Sequence, residues 1–362
     1  MSKASGNEIS RVPGGGAFVA SIATALPPFS VDQGLAADLI REHFRERLTP
    51  RSLGLIRATF SHPSIHKRHF AVDDPAHIFN ETPDQRVARF TEQSVELAAQ
   101  AVLEALDKVG VGVDRVDGLV VNTCTGYICP GVSTYLAQRL GLSCSARLYD
   151  LVGSGCGGAL PNLQVAESIL ATSGAVIVSV SVEICSAAFQ MGNDLSLILS
   201  NALFGDGAAA AVLWKKPAGF QMVASAGRYV PEQREAIRFV HKHGQLHNQL
   251  STDLPELVRK AAAEVVADLL SRHSLRVEDI GEWALHTGGE KIINAVRDEI
   301  GIPEERLWAT RKVLSQYGNM SSPTVWFVLD EILQGGIRPG AWCVMVAYGA
   351  GLSAHAFLLR KT

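Results

Sequence analysis

Two stretches of this 362-residue chain keep the same internal register, and that repeat limits the folds open to it. Thr123 and Cys156 lie 33 residues apart, and so do His286 and Asn319, so one offset of 163 carries the first pair onto the second. The surrounding segments repeat too. Asp117 to Thr123 reads as a buried strand, Gly157 to Thr172 as a helix, and Ala175 to Val182 as a near-continuous apolar strand of the kind covered on both faces. In the second half Ile280 to His286, Ser321 to Leu333 and Ala341 to Ala347 read as strand, helix and strand. Gly174-Ala-Val-Ile-Val and Gly340-Ala-Trp-Cys-Val align at a slightly larger offset. A duplicated α/β unit is the simplest reading; two ordinary βαβ units in chance register are the alternative. Outside the repeat, Val95, Ala98, Val102 and Leu106 fall on one helical face within Thr91 to Val109, and Gly110 and Gly112 would stop that helix.

Duplication has a chemical consequence. Cys156 and Asn319 would each sit just before a helix, one from each half, with His286 at the end of a second-half strand. One central site could then collect all three. Cys156 lies in Gly153-Ser-Gly-Cys-Gly-Gly158, where glycines permit a sharp turn and a close approach to the sulfur. A helix N-terminus and a neighbouring histidine would both lower the thiol pKa. Taken singly, each residue has a plainer reading: an incidental Cys in a Gly-rich turn, a hydrogen-bonded imidazole, an Asn helix cap. The other cysteines, Cys124, Cys129, Cys144, Cys185 and Cys343, form no CxxC pair and no metal-type spacing, and suit small buried positions in a reducing compartment.

Composition narrows the function classes. Hydrophobic residues make up 47% and charged residues 19%, enough for a sizeable core. The net charge of -3 argues against a nucleic-acid binder, though a local basic cluster could still hold a small anion. No apolar run of about 18 residues predicts a membrane span. The first residues, MSKASGNEISRVPGGG, lack a signal-peptide layout and read as a polar tail.

Four strings together resemble the type III polyketide synthases, the chalcone-synthase-like enzymes: Gly155-Cys-Gly157, Phe204-Gly-Asp-Gly-Ala-Ala209, His286-Thr-Gly-Gly289 and Tyr317-Gly-Asn-Met-Ser-Ser322. The resemblance runs from about Phe18 to Leu359. It implies a thiolase-like, five-layered αβαβα fold, with a tail at 1–17, a half at 18–217 carrying the cysteine and a half at 218–362 carrying His and Asn. It also implies a cytoplasmic homodimer without a bound cofactor, acting on malonyl-CoA and acyl-CoA. Cys156 would carry the acyl chain, while His286 and Asn319 would bind the thioester carbonyl. Their N–H groups would stabilise the enolate left by decarboxylation, where losing one donor typically costs about 3 kcal/mol.

The resemblance extends to the pocket, with departures. Phe204 matches one aromatic gate residue and His247 is expected near the second. Cys124 and Ala188 stand where plant members carry threonines, and Thr125 and Ser321 are expected on the same wall. Cys129 matches a residue that lines the partner's cavity. Gly349 and Gly351 belong to Ala347-Tyr-Gly-Ala-Gly351, where the family often has Gly-Phe-Gly-Pro-Gly. Leu55, Ala58 and His62 stand where CoA-binding bases are expected, leaving Arg57, Lys67 and Lys291 as phosphate contacts, with Arg68 nearby. That gap leaves room for a starter delivered on an acyl carrier protein. The competing readings are a single-condensation ketosynthase or acyltransferase of the same fold, and a non-catalytic partner subunit.

Overall fold

The computed structural model describes residues 16–173 and 176–362. Residues 1–15 of the expected tail, and Gly174 and Ala175 of the expected strand starts, lie outside the described residues. The first half comprises β1 (Phe18–Ala25), β2 (Phe29–Asp32), α1 (Gln33–Phe44), α2 (Pro50–Phe60), β3 (Lys67–Phe70), α3 (Pro75–Asn80), α4 (Pro83–Asp107), β4 (Val116–Asn122), α5 (Val132–Leu140), β5 (Arg147–Leu151), α6 (Ala159–Ser173), β6 (Val176–Glu183), α7 (Leu195–Leu203) and β7 (Gly207–Trp214). The second comprises β8 (Phe220–Tyr229), β9 (Ile237–Lys242), β10 (Gln245–Leu250), α8 (Leu254–Ser271), β11 (Ile280–Leu285), α9 (Glu290–Ile300), α10 (Trp308–Tyr317), α11 (Thr324–Gln334), β12 (Trp342–Gly349) and β13 (Ser353–Lys361).

The register repeat reappears as topology. β4 pairs parallel with β6, β6 antiparallel with β7, and β7 antiparallel with β1. In the second half β11 pairs parallel with β12, β12 antiparallel with β13, and β13 antiparallel with β8. A short β1–β8 contact joins the two sets into one sheet of order β11-β12-β13-β8-β1-β7-β6-β4-β5. The 217/218 division falls in the turn between β7 and β8.

Strand alternation sorts the apolar side chains into layers. In β6, Val178 and Val180 meet Ala98, Val102 and Leu106 of α4 on the outer face. In β12, Val344 and Val346 meet Val258, Val265 and Leu269 of α8. Residues of the opposite parity, such as Ile177, Cys343 and Met345, face a middle layer built from Leu160, Leu163 and Leu170 of α6 and Val325, Val328 and Leu329 of α11. The stacking is therefore α4, sheet, α6 with α11, sheet, α8. Helix α4 begins at Pro83 rather than the expected Thr91. The Thr82 hydroxyl accepts from the backbone of Gln85, whose side chain accepts from the backbone of Thr82, and this reciprocal cap starts two polar turns that apolar periodicity does not register. Among the described residues no helix is long and apolar enough to cross a membrane.

One buried group in the second sheet titrates. His355 of β13 is only 2% exposed, lies between Gly227 and Ala347, and neither ring nitrogen has a partner among the described residues. Burial holds its pKa down to about 4. A neutral native imidazole with a lowered pKa adds stability above the unfolded value near 6.5, and that stability is lost as pH falls toward 4. Thermal unfolding followed from pH 7 to 5 should show this: His355→Leu should remove about 2 kcal/mol of the acid-induced loss at pH 5. Parallel wild-type and variant curves would show that His355 does not titrate on unfolding.

Candidate active site

The two halves deliver their loops to one point. Cys156 sits in a tight turn, Gly155–Gly158, that leads directly into α6. Gly155 has φ +55°, open to glycine at low cost. The turn packs backbone to backbone on the end of β12. A Cβ on Gly157 would stand 3.1 Å from the Gly349 nitrogen, and one on Gly349 would collide with the Gly157 nitrogen and the Ser154 carbonyl. Glycine at both positions thus lets the first half's cysteine loop rest on a second-half strand.

His286 follows β11. Its backbone N–H donates to the Val346 carbonyl (2.9 Å), and its carbonyl accepts from the Tyr348 hydroxyl (2.7 Å) and the Gly288 N–H (2.9 Å). The Tyr348 ring stands edge-on to the imidazole at 5.2 Å. Asn319 precedes α11 and is tied to the end of α7: its N–H donates to the Leu203 carbonyl (2.9 Å) and its carbonyl accepts from the Gly205 N–H (3.0 Å). Its side-chain Oδ1 accepts from the Ser321 N–H at 2.7 Å. That contact orients the amide and leaves Nδ2 as a donor for another acceptor.

Cys156, His286 and Asn319 all line one small cavity of about 50 Å³, together with Tyr348 and Gly349. A second cavity of about 250 Å³ is lined by Cys156, Cys124, Thr125, Ala188 and Ser321. Cys156, Phe204 and Ile237 line both, so the sulfur faces each space and the two side chains stand where the spaces meet.

Comparison with known proteins now identifies this architecture. Residues 46–226 match the family described as FAE1/Type III polyketide synthase-like protein, and residues 221–362 match the C-terminal domain of chalcone and stilbene synthases. The chain is 30% identical to 1,3,6,8-tetrahydroxynaphthalene synthase of Streptomyces peucetius subsp. caesius, over 95% of this chain and 93% of that protein. It is also 30% identical to 3,5-dihydroxyphenylacetyl-CoA synthase of Streptomyces toyocaensis, over 92% of this chain and 90% of that protein. The solved C-terminal type III polyketide synthase domain of Steely1 from Dictyostelium, 25% identical, superimposes with a TM-score of 0.89, covering 96% of this chain and 99% of that one. This chain belongs to the type III polyketide synthase family.

Of the expected pocket residues, His247 and Gly351 line neither cavity, while Cys129 and the expected CoA contacts lie outside both cavities of this chain. His247 lines neither cavity; its β10 neighbour Asn248 turns inward instead, and Ile237 of the adjacent strand accompanies Phe204. Strand alternation explains the change, because a register error of one residue exchanges the two faces. Gly351 (φ +126°) reverses the chain between β12 and β13 while Ala350 provides the wall. Cys129 is exposed, precedes the cis Pro130 and lines neither cavity of its own chain. Arg57 and Lys291 are exposed and Lys67 is half-buried; none lines either cavity. Arg68 is buried and turned inward, so it is not available to a phosphate. His62 instead pairs with Glu290 at 3.3 Å.

The electrostatics also differ from the expected low-pKa thiol. Burial pushes Cys156 up to about 12, and Glu183 adds to the rise. The group within hydrogen-bond reach of the sulfur is the Ser321 hydroxyl, which donates at 3.2 Å and works the other way. Burial holds His286 down to about 3, so burial favours the neutral form of both imidazole and thiol. Desolvation here outweighs the helix N-terminus. Glu183, which sequence reasoning missed, ends β6 fully buried. Its Oε2 accepts from the N–H groups of Cys124 (2.9 Å) and Thr125 (3.1 Å) and from the Thr125 hydroxyl (2.8 Å); its Oε1 accepts from Ser322 (2.7 Å) and Ser321 (3.3 Å). Burial raises its pKa while these donors oppose the rise. The available signal was an acid closing an otherwise apolar strand, Val176–Glu183.

Ser321 is also 3.4 Å from the Cys124 sulfur, so one hydroxyl lies within reach of two thiols and a carboxylate and donates its single proton to one acceptor at a time. Ser321→Ala should slow acylation of Cys156 at least about tenfold, since a hydrogen bond to a charged group contributes about 1.5–3 kcal/mol. Intact-mass time courses of acyl loading measure this directly; an unchanged rate would remove Ser321 as the sulfur's donor.

Proposed function

We propose that Cys156 takes an acyl group from an acyl-CoA and extends it by repeated decarboxylative condensation with malonyl-CoA, and that the chain closes to a small pyrone, resorcinol or related phenolic. The observation that carries this reading is the single sulfur facing both a small cavity with His286 and Asn319 and a larger one with room for a growing chain. In the loading step the neutral imidazole of His286 takes the thiol proton, the sulfur attacks the thioester carbonyl, and CoA leaves as its thiol after receiving the proton. Malonyl-CoA then binds in the small cavity, where the carboxylate departs as carbon dioxide and its bonding electrons form the enolate. The His286 imidazole and Asn319 Nδ2 donate to the enolate oxygen. The enolate carbon attacks the Cys156 thioester and releases the sulfur as a thiolate; that thiolate then attacks the carbonyl of the lengthened CoA thioester, and CoA leaves as a thiolate that takes a proton from solvent. The residues need no metal or bound cofactor for any of these steps.

Membership of the type III polyketide synthase family, rather than the larger cavity by itself, favours iteration. Cys156→Ser should abolish stable acyl loading, and His286→Gln should mainly slow decarboxylation of malonyl-CoA by about a hundredfold. Intact mass and product masses read the two effects. One added two-carbon unit per product would favour the single-condensation reading, and faster loading from a carrier-protein thioester than from CoA would favour the carrier route.

The walls of the larger cavity point to the starter. Beyond Cys156 it is lined by Ala36 and Ile40 of α1, Ile78 and Phe79 of α3, and Phe189, an apolar surface suited to an aliphatic tail. Ala36→Phe should lower kcat/KM for a dodecanoyl starter about tenfold relative to acetyl-CoA. An unchanged ratio would place the tail elsewhere. A homodimer fits the exposed Tyr127, Tyr135, Tyr149 and Val152, which cluster in sequence around Cys129 and the edge strand β5. Six free cysteines suit a reducing cytoplasm.

A further inference from the structure

We infer that Arg68 is a positioning residue: by closing the C-terminal end of α7 it holds the gate side chain Phe204 and the amide of Asn319 in one register. The last turn of a helix leaves carbonyls without intrahelical partners, and a buried end must find donors for them. Here Arg68 Nη1 donates to the carbonyls of Asn201 (2.6 Å) and Phe204 (2.7 Å). Its Nε donates to Gln33 Oε1 (2.9 Å), and Gln33 Nε2 donates to the Ala202 carbonyl (2.8 Å). The positive charge also lies at the negative end of the α7 dipole. The side chain is 1% exposed, and its guanidinium lies 5.1 Å from the Phe70 ring centre and 5.5 Å from that of Phe60. It feels Asp206, which is held by the N–H groups of Ala71 and Ser186.

The stem of Arg68 reaches the other side of the site. A Cβ added to Gly318 would stand 2.9 Å from Arg68 Cγ and 2.6 Å from the Leu203 carbonyl. Arg68 therefore forms the wall against which the Gly318–Asn319 turn closes. The turn is in turn bridged to Leu203 and Gly205, on either side of Phe204. One side chain thus contacts both partners of the bridge. The Cys156 backbone is held by Gly349 and the Gly-rich turn, and none of the Arg68 hydrogen bonds reaches that turn. The Asn319 turn meets the sulfur through the Ser321 hydroxyl. Loss of Arg68 should then misplace Asn319 and Phe204 directly and disturb Cys156 only through Ser321.

This inference rests on the proposed roles of Cys156 and Asn319, so the test measures two half-reactions separately. Acyl loading onto Cys156 is followed by intact mass, and malonyl-CoA decarboxylation by release of acetyl-CoA, in wild type, Arg68→Met, Arg68→Lys and Gln33→Leu. Decarboxylation should fall at least about thirtyfold in Arg68→Met and about tenfold in Arg68→Lys, which keeps the charge and loses the fork. Loading depends on the Asn319 turn only through Ser321, so it should fall several-fold less than decarboxylation in both. Gln33→Leu, which removes only the second arm, should lower decarboxylation several-fold with loading less affected, and it decides the matter if Arg68→Met does not fold. Parallel loss of both half-reactions, or decarboxylation at the wild-type rate, overturns the positioning role. Wild-type protein that neither loads nor decarboxylates overturns the proposed function itself and this inference with it.

Discussion

The Ser321 hydroxyl lies 3.2 Å from the sulfur of Cys156 across 165 residues of sequence, and that contact depends on how α6 and α11 meet. Both helices lie in the middle layer between the sheets, packed through Leu160 and Leu163 on one side and Val325 and Val328 on the other. Each brings its N-terminal approach to the same point, the cysteine turn from one half and the Asn319–Ser321 turn from the other. Neither half holds a site alone. The duplicated topology therefore has a chemical consequence: a repeated strand–helix unit delivers one thiol and one hydrogen-bonding turn to a shared centre. Two glycines set how closely they approach, because Gly157 and Gly349 let the cysteine loop lie directly on the end of β12.

Burial then dictates the resting charge state. Removal from water favours the neutral form of thiol and imidazole alike, and the nearby carboxyl of Glu183 is shared among hydroxyl and backbone donors rather than a cation. The hydrogen bond from Ser321 is already in place to receive the negative sulfur, and the Asn319 amide is already turned by its contact with the Ser321 N–H.

Much of this was legible in sequence because it depended on register. The offset between Thr123–Cys156 and His286–Asn319 anticipated the repeated strand order, and the glycines flanking Cys156 marked the turn. What was not legible depended on three-dimensional neighbours. The first turns of α4 are polar and announce themselves only through the Thr82–Gln85 cap. His247 and Asn248 differ by one position in a strand, and which faces the cavity follows from pairing with β9 rather than from residue type. The thiol's pKa turns on depth of burial. Glu183 and Arg68 look like ordinary charges in the sequence. Their full burial makes each a hub, and it could not be seen before the chain closed around them.

Cys156 faces two spaces at once, so the separation between them matters more than the volume of either. Phe204 and Ile237 form that separation from different elements, the end of α7 and the strand β9. Phe204 is tied by its backbone neighbours to Asn319, so a displacement of Phe204 is also a displacement of the Asn319 amide. Ile237 is tied less directly: its strand pairs with β10, whose Leu250 and Asn248 hydrogen-bond Ser196 and Ser200 of α7. Substitutions that move Phe204 through its backbone reach the Asn319 amide as well, because one bridge positions both.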